Sequence, residues 1–324
     1  MQNVLKWEPT NDTNQLSQSH FLTLGSFTTN DIHYLLDEAS KLKKYQKEGI
    51  PHPYLKGKVL AMLFEKSSTR TRVSFEVGML QLGGNAMFLS SNDIQLGRGE
   101  SPTDTSKVLS RYVDGMMIRT YGHEILEEFA DQASVPIING LTDLHHPAQV
   151  LADLLTIKEK KGNLKGLKLC YLGDASNNMC HSLIEGAVLV GTNISIACPD
   201  NYQPDKLILE NARKIAKKTG AVIQIGTSPQ EMITNADVVV TDVWTSMGQE
   251  EEMEERLATL APYQVNKALC KHAKHDFIFL HCLPAHREEE VTAEILDGPH
   301  SVVLDEAENR LHAQKAVLKA LMGS

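Results

Sequence analysis

Cysteine is scarce and unpatterned: the five residues, Cys170, Cys180, Cys198, Cys270 and Cys282, are odd in number and include no CxxC pair. That excludes a simple disulfide framework and leaves no structural zinc site of familiar spacing. Positive charge is in deficit as well, with 32 Lys and Arg against 41 Asp and Glu for a net charge of −9. A general polyanion binder needs the opposite balance, so no nucleic-acid partner is expected and any bound anion must meet a local cluster of cations. No apolar run approaches the 18 or more residues that would cross a membrane. Met1 to His20 are polar, without the apolar core of a secretory signal, so a cytoplasmic chain without a membrane partner is expected. Low complexity and fixed-period repeats are lacking too. Two nucleotide-binding signatures are missing: there is no GxxxxGK[ST], and Gly97 and Gly99 have Pro102 where a third glycine would complete GxGxxG.

What remains is an ordinary globular composition, 42% hydrophobic and 23% charged over 324 residues. At roughly 150 residues per domain that length accommodates two cores. Ile32, Leu35, Leu36, Ala39 and Leu42 recur at helical spacing and predict a helix over 30–47, capped by Thr29 or Asn30. Buried strands are expected at 58–64, 86–89, 115–118 and 135–138, separated by polar loops and helices. His146-Pro147 opens a further helix, with proline in the first turn where its missing N–H costs nothing. The charged stretch 158–166, KEKKGNLKG, marks a boundary. Beyond it the rhythm restarts, with strands at 168–172, 193–198, 221–225, 237–242 and 277–281 and a last helix over 306–322. Alternating strands and helices predict an α/β fold of two domains, each a parallel sheet flanked by helices on both faces, with a cleft between them. The expected division is 1–157 and 158–305, with 306–324 packing back on the first domain. Residues before about Leu22 match no element and are expected to form a loose arm.

Ser67-Ser68-Thr69-Arg70-Thr71-Arg72 falls between a strand end and a helix start. Unpaired N–H groups of a first helical turn favour an anion, and hydroxyls with two guanidiniums add the donors that a phosphate takes. An ordinary Ser or Thr cap with two solvated arginines is the plainer alternative.

Ser68-Thr69-Arg70-Thr71-Arg72, His146-Pro147-Ala148-Gln149 and His281-Cys282-Leu283-Pro284, in that order, resemble the motifs of the transcarbamoylase family. The resemblance runs from about Leu22 to Leu321. Asp242-Val243-Trp244-Thr245-Ser246-Met247-Gly248 and the residues after Cys282 are similar to those of the members that use ornithine. It implies carbamoyl transfer from carbamoyl phosphate to the ornithine δ-amine, with citrulline and phosphate as products. On that basis Ser68, Thr69, Arg70, Thr71, Gln95, Arg119, His146, Pro147, Ala148, Gln149 and Arg310 would hold carbamoyl phosphate. Arg70, Arg119 and His146 would act on its carbonyl oxygen, and Gln149 would accept from its NH₂. Asn178, Asp242, Ser246, Met247, Cys282 and Leu283 would hold ornithine, with Cys282 counted also among the catalytic group. The stretch 173–178 has one residue more than some relatives carry, which leaves Asn177 and Asn178 both open for that contact.

The resemblance further implies a homotrimer, or an assembly of trimers, in which the loop carrying Gln95 serves a neighbouring subunit. It also implies a cis peptide at Leu283-Pro284. Neither cofactor nor metal is expected, since no further ligand is spaced to complete a tetrahedron around His281, Cys282 and His286. Two alternatives stay open at this point. One is a sister transcarbamoylase acting on putrescine or another amine; the other is a non-enzymatic protein that senses a phosphorylated metabolite.

Overall fold

The computed structural model describes residues 16–90, 99–245 and 253–323. The chain divides into two compact units: the residues up to Leu151 together with those from Asn309 onward, and the residues Ala152–Glu308.

The first unit begins with α1 (Thr29–Lys47) and continues with β1 (Val59–Phe64), α2 (Thr69–Gln81), β2 (Asn85–Ser90), α3 (Pro102–Leu109), β3 (Gly115–Arg119), α4 (His123–Gln132), β4 (Ile137–Leu141) and the start of α5 (Pro147–Lys161). All five apolar residues that predict α1 are fully buried. Its cap is one residue earlier than expected: Thr28 accepts from the Asp31 N–H while the Asp31 carboxylate accepts from the Thr28 N–H, a reciprocal box that Thr29 and Asn30 cannot make. The four strands are parallel in the order β2-β1-β3-β4. Ala61, Leu63, Met116 and Ile118 from the central strands pack with Leu126 and Phe129 of α4.

The loose arm expected before Leu22 is corrected where the structure describes it. Phe21 is fully buried, its N–H donates to Ile137 O at 2.8 Å, and its carbonyl accepts from Asn139 N at 2.8 Å. A single apolar anchor thus extends the sheet beyond its edge strand β4, and Ser17 Oγ donates to Asp31 at 2.6 Å. Residues 1–15 lie outside the described residues.

The second unit contains β5 (Lys168–Leu172), α6 (Asn178–Leu189), β6 (Asn193–Ala197), α7 (Lys206–Thr219), β7 (Ile223–Gly226), α8 (Pro229–Ile233), β8 (Val238–Thr241), α9 (Met253–Leu260), α10 (Lys267–Cys270), β9 (Ile278–Leu280), α11 (Ala293–Leu296) and the start of α12 (Val303–Met322). Its five parallel strands run β7-β6-β5-β8-β9. In the first sheet the order reverses between β1 and β3, and in the second between β5 and β8. At such switch points the loops leave the strand ends in opposite directions and open a crevice for ligands.

From Asn309 onward α12 is tied into the first unit by polar contacts. Lys43 donates to Asn309 at 2.7 Å, Lys319 pairs with Glu38 at 2.6 Å, and Lys315 Nζ lies 2.9 Å from both His52 Nε2 and Gln81 Oε1. Lys315 is fully buried against neutral partners, and desolvation brings its ammonium down to about 8. A lysine depressed in the folded state binds fewer protons there than in the unfolded chain above that pH, so folding gains as the pH rises from about 8 toward the ordinary value. The stability of the native protein relative to Lys315→Met is expected to rise by roughly 2 kcal/mol between pH 7 and 9.5, measured by urea unfolding.

Candidate active site

The first cluster stands at the β1/β3 switch point. Parallel pairing sets Phe64 beside Arg119 at the two strand ends, and the Glu65 N–H donates to Arg119 O at 2.9 Å. Four residues on, Ser68 caps α2 by accepting from the Thr71 N–H at 3.3 Å, and the first turn of α2 carries no acidic side chain to compete with an incoming anion. Thr69 and Arg70 are exposed there, whereas Thr71 is fully buried and its hydroxyl accepts from Arg310 Nη2 at 2.8 Å. The two arginines of the motif separate. Arg72 pairs with Glu76 at 3.0 Å and lies over the Phe88 ring at 3.9 Å, a structural use, while Arg70 faces the field around His146.

His146 precedes α5, and its carbonyl accepts from the Val150 N–H at 3.4 Å. Pro147, Ala148 and Gln149 follow in the first turn, all buried. His146 itself is 5% exposed; burial pulls its pKa well below the usual imidazole value, and Arg310, Arg119 and Arg70 push it down further. The ring is therefore neutral, with one N–H to donate, in the field of three cations. Arg119 is steadied by donation from Nε to Lys66 O at 3.2 Å. Lys66 in turn lies over the Tyr121 ring at 4.1 Å and pairs with Asp143. Gln95 lies outside the described residues.

The second cluster stands at the β5/β8 switch point. After β5 the chain turns at Gly173, whose φ of +121° disfavours any side chain and whose Cβ position would come within 3.2 Å of Trp244 Nε1. Asn177 caps α6 by accepting from Cys180 N at 2.9 Å, while its amide donates to Tyr171 Oη at 2.9 Å and reaches Asp242 Oδ2 at 3.4 Å. Asn178, the first residue of α6, is half-buried. Asp242 follows β8 and is 8% exposed. Its Oδ1 accepts from the Val243 N–H at 2.8 Å and from the Cys282 thiol at 3.1 Å. Burial raises the Asp242 carboxyl despite these donors and the nearby His281. Burial, with Asp242 next in effect, likewise holds the Cys282 thiol well above its ordinary range, so Cys282 acts as a hydrogen-bond donor and not as a thiolate. The Leu283-Pro284 peptide is cis, as the resemblance implies. Ser246 and Met247 lie outside the described residues.

Asp242, His281 and Cys282 offer a metal-like grouping. Yet His281 Nδ1 accepts from the Leu283 N–H at 2.9 Å and Nε2 faces Glu290 at 3.2 Å, so both ring nitrogens are engaged and the donor set does not fit a cation. Sequence reasoning missed Tyr171, Asn177 as a cap bonded to Asp242, and the buried pair Arg256 with Asp174. That pair also holds the backbone after β8, because Arg256 Nε donates to Trp244 O at 2.6 Å. Nothing in the spacing of 174 and 256 signals the pairing.

Comparison with known families matches residues 19–159 to the aspartate/ornithine carbamoyltransferase carbamoyl-P binding domain, and residues 165–321 to the Asp/Orn binding domain of the same family. The chain is 59% identical over 303 residues to the ornithine carbamoyltransferase of Carboxydothermus hydrogenoformans, covering 94% of this chain and 97% of that one. It is 58% identical over 301 residues to that of Bacillus subtilis, covering 93% of each chain. Among solved structures, ornithine carbamoyltransferase from Pyrococcus furiosus superposes with a TM-score of 0.91 at 51% identity, covering 94% of this chain and 97% of that one.

Proposed function

The chain belongs to the aspartate/ornithine carbamoyltransferase family, and from that premise we infer that it transfers the carbamoyl group of carbamoyl phosphate to the δ-amine of L-ornithine, giving L-citrulline and phosphate. The observation that carries this is the chemistry of the two strand-end clusters. One is a neutral histidine among three guanidiniums beside a helix N-terminus free of acids. The other is a buried carboxylate, Asp242, bonded to a thiol and an amide as a handle for an ammonium group.

The phosphate is held by Ser68, Thr69, Arg70 and Thr71 at the start of α2, with Arg310 beside Thr71. Arg119, Arg70 and the His146 N–H meet the carbonyl oxygen as its charge grows, and Gln149 accepts from the carbamoyl NH₂. Pro147 and Ala148 fix the turn between these two side chains. Ornithine is anchored by Asp242 and Cys282 at its α-ammonium, by Asn178 at its carboxylate, and by Leu283, Ser246 and Met247. Asn177 is occupied in capping α6, which favours Asn178 for the carboxylate. The δ-amine, with an ordinary pKa of roughly 10, attacks in its neutral form. The new C–N bond forms, the C–O bond to phosphate breaks with its electron pair on the phosphate oxygen, and the departing phosphate takes the proton shed by nitrogen.

The working assembly is a homotrimer, or trimers assembled further, in which a neighbour supplies Gln95. Support comes from the apolar side chains left exposed on adjacent elements of the first unit: Val73 and Leu80 on α2 and Met87 on edge strand β2. A reducing, cytoplasmic setting suits five cysteines that are all free thiols. No helix of the described residues is long and apolar enough to cross a membrane. The reaction belongs to arginine metabolism. Citrulline and phosphate are expected in equal amounts from carbamoyl phosphate with ornithine, and no product with putrescine, acetylornithine or aspartate. Turnover of one of those amines in preference to ornithine would overturn the acceptor assignment.

A further inference from the structure

Three buried side chains outside the proposed substrate contacts converge on the turn that carries Cys282 and Leu283. His281 is 1% exposed, Glu290 is fully buried and Glu306 is 1% exposed. The backbone N–H of His281 donates to Glu306 Oε2 at 2.9 Å, which anchors the residue where β9 ends. Its ring Nδ1 lies 2.9 Å from the Leu283 N, and its Nε2 lies 3.2 Å from Glu290 Oε1. A backbone N–H can only donate, so Nδ1 must be bare; in the neutral ring the proton then sits on Nε2 and points at the Glu290 carboxylate. Glu290 is itself fixed, since the same Oε1 accepts from the His286 N–H at 2.6 Å.

The bond matters because of what Leu283 is made to do. Its φ is +56°, a left-handed conformation that a leucine avoids unless its surroundings impose it. The His281 ring closes that turn from inside by taking the Leu283 N–H. The same turn places Cys282 Sγ 3.1 Å from Asp242 Oδ1. If Leu283 relaxed to an ordinary φ, Cys282 and the Leu283 backbone would rotate away from Asp242.

We propose that His281, locked as its Nε2–H tautomer by Glu290, is a positioning residue for the amine acceptor: its bare Nδ1 holds the Leu283 turn that sets Cys282 and Leu283 against Asp242. This rests on the carbamoyl-transfer function inferred above and adds to it two residues, His281 and Glu290, that do not touch substrate.

Two amide substitutions separate the halves of the ring. In His281→Asn the side-chain oxygen occupies the Nδ1 place and still accepts from Leu283, while the Glu290 bond is lost. In His281→Gln the amide nitrogen reaches Glu290 from the Nε2 place, and the Leu283 N–H loses its acceptor. His281→Asn is expected to stay within about fivefold of the native kcat/KM for ornithine, and His281→Gln to lose about thirtyfold through a raised ornithine KM. The KM for carbamoyl phosphate should stay within about twofold in both. His281→Gln matching or exceeding His281→Asn, or equal rises in both KM values, would overturn the proposal. Long-range ¹H–¹⁵N spectra of the histidine-labelled native protein, with His281 assigned by its loss in a variant, give a second readout that needs neither activity nor a stable variant. A proton on Nε2 supports the proposal and one on Nδ1 refutes it. A native protein that makes no citrulline would instead defeat the functional inference and leave the tautomer result standing.

Discussion

Arg119→Ala is expected to lower kcat by about 10²–10³-fold, or about 2.7–4 kcal/mol of transition-state stabilisation, at saturating concentrations of both substrates. The size follows from where the guanidinium stands. It closes β3 at the switch point, its backbone is pinned by Glu65, and its Nε is committed to Lys66 O, so the group is presented without any cost of ordering at the moment of reaction. As the tetrahedral intermediate forms, charge grows on the carbonyl oxygen in a buried site, where a fixed cation is worth more than in water. Arg70→Ala should act in the same direction. Because Arg70 is exposed, part of its effect is expected in the KM for carbamoyl phosphate. A second consequence is electrostatic. Arg119 is one of three cations that hold the His146 imidazole low, so its removal should move the His146 titration back up toward the ordinary value. In the native enzyme kcat should show no limb from His146 near pH 6.5, since the ring is already neutral there. Near-native turnover of Arg119→Ala, or an imidazole limb at that pH in the native profile, would refute the assignment.

Most of the scaffold was legible because its signals are local. Buried parallel strands read as short apolar runs, and the amphipathic stripes of α1 and α7 bury Ile32 to Leu42 on one and Ile208, Leu209, Ala212 and Ala216 on the other. Strand ends blurred by one to three residues, as at Val59 against the expected 58, Ile223 against 221 and Leu141 against 138, because hydrogen bonding and not hydropathy decides where pairing starts and stops. The anchoring of Phe21 was not legible: a single apolar residue has no period, and its value depends on the free edge of β4, about 117 residues downstream. The site divides in the same way. Ser68 and His146 announce themselves by standing at helix starts. The buried partners that hold the site, Glu290 for His281 and Arg256 for Asp174, come from unrelated distances along the chain. In sequence Glu290 and Arg256 stand next to other acidic residues and carry no sign of burial, and only folding reveals these two as buried.

Asp242→Asn is expected to reduce kcat/KM for ornithine by about 10²–10³-fold, in line with the several kcal/mol lost when one partner of a buried charged hydrogen bond is removed. The loss should fall on ornithine and spare the KM for carbamoyl phosphate. An asparagine still fills the space after β8 and its Oδ1 can still accept from Val243 and Cys282, while its Nδ2 meets the Asn177 amide where an oxygen accepted before, so the loss combines the charge with that one hydrogen bond. The pH dependence makes a sharper test. Burial raises the Asp242 carboxyl, so its proton competes with the substrate ammonium at a pH above the ordinary carboxylate range. The ornithine KM of the native enzyme should therefore climb on acidification earlier than an exposed aspartate would allow, and that limb should vanish in Asp242→Asn. Stability follows the same linkage with its own sign. A carboxyl raised in the folded state binds protons more readily there than in the unfolded chain, so its contribution falls as the pH rises from the unfolded value through the folded one. Once ionised, the group is a desolvated anion that, among the described residues, accepts from a thiol, an amide and a backbone N–H. With the ornithine ammonium bound there as proposed, the rise in melting temperature that ornithine produces should grow with pH through the Asp242 titration and disappear in Asp242→Asn. An ornithine KM with no acid limb, or one that persists in the variant, would remove Asp242 as the ammonium partner.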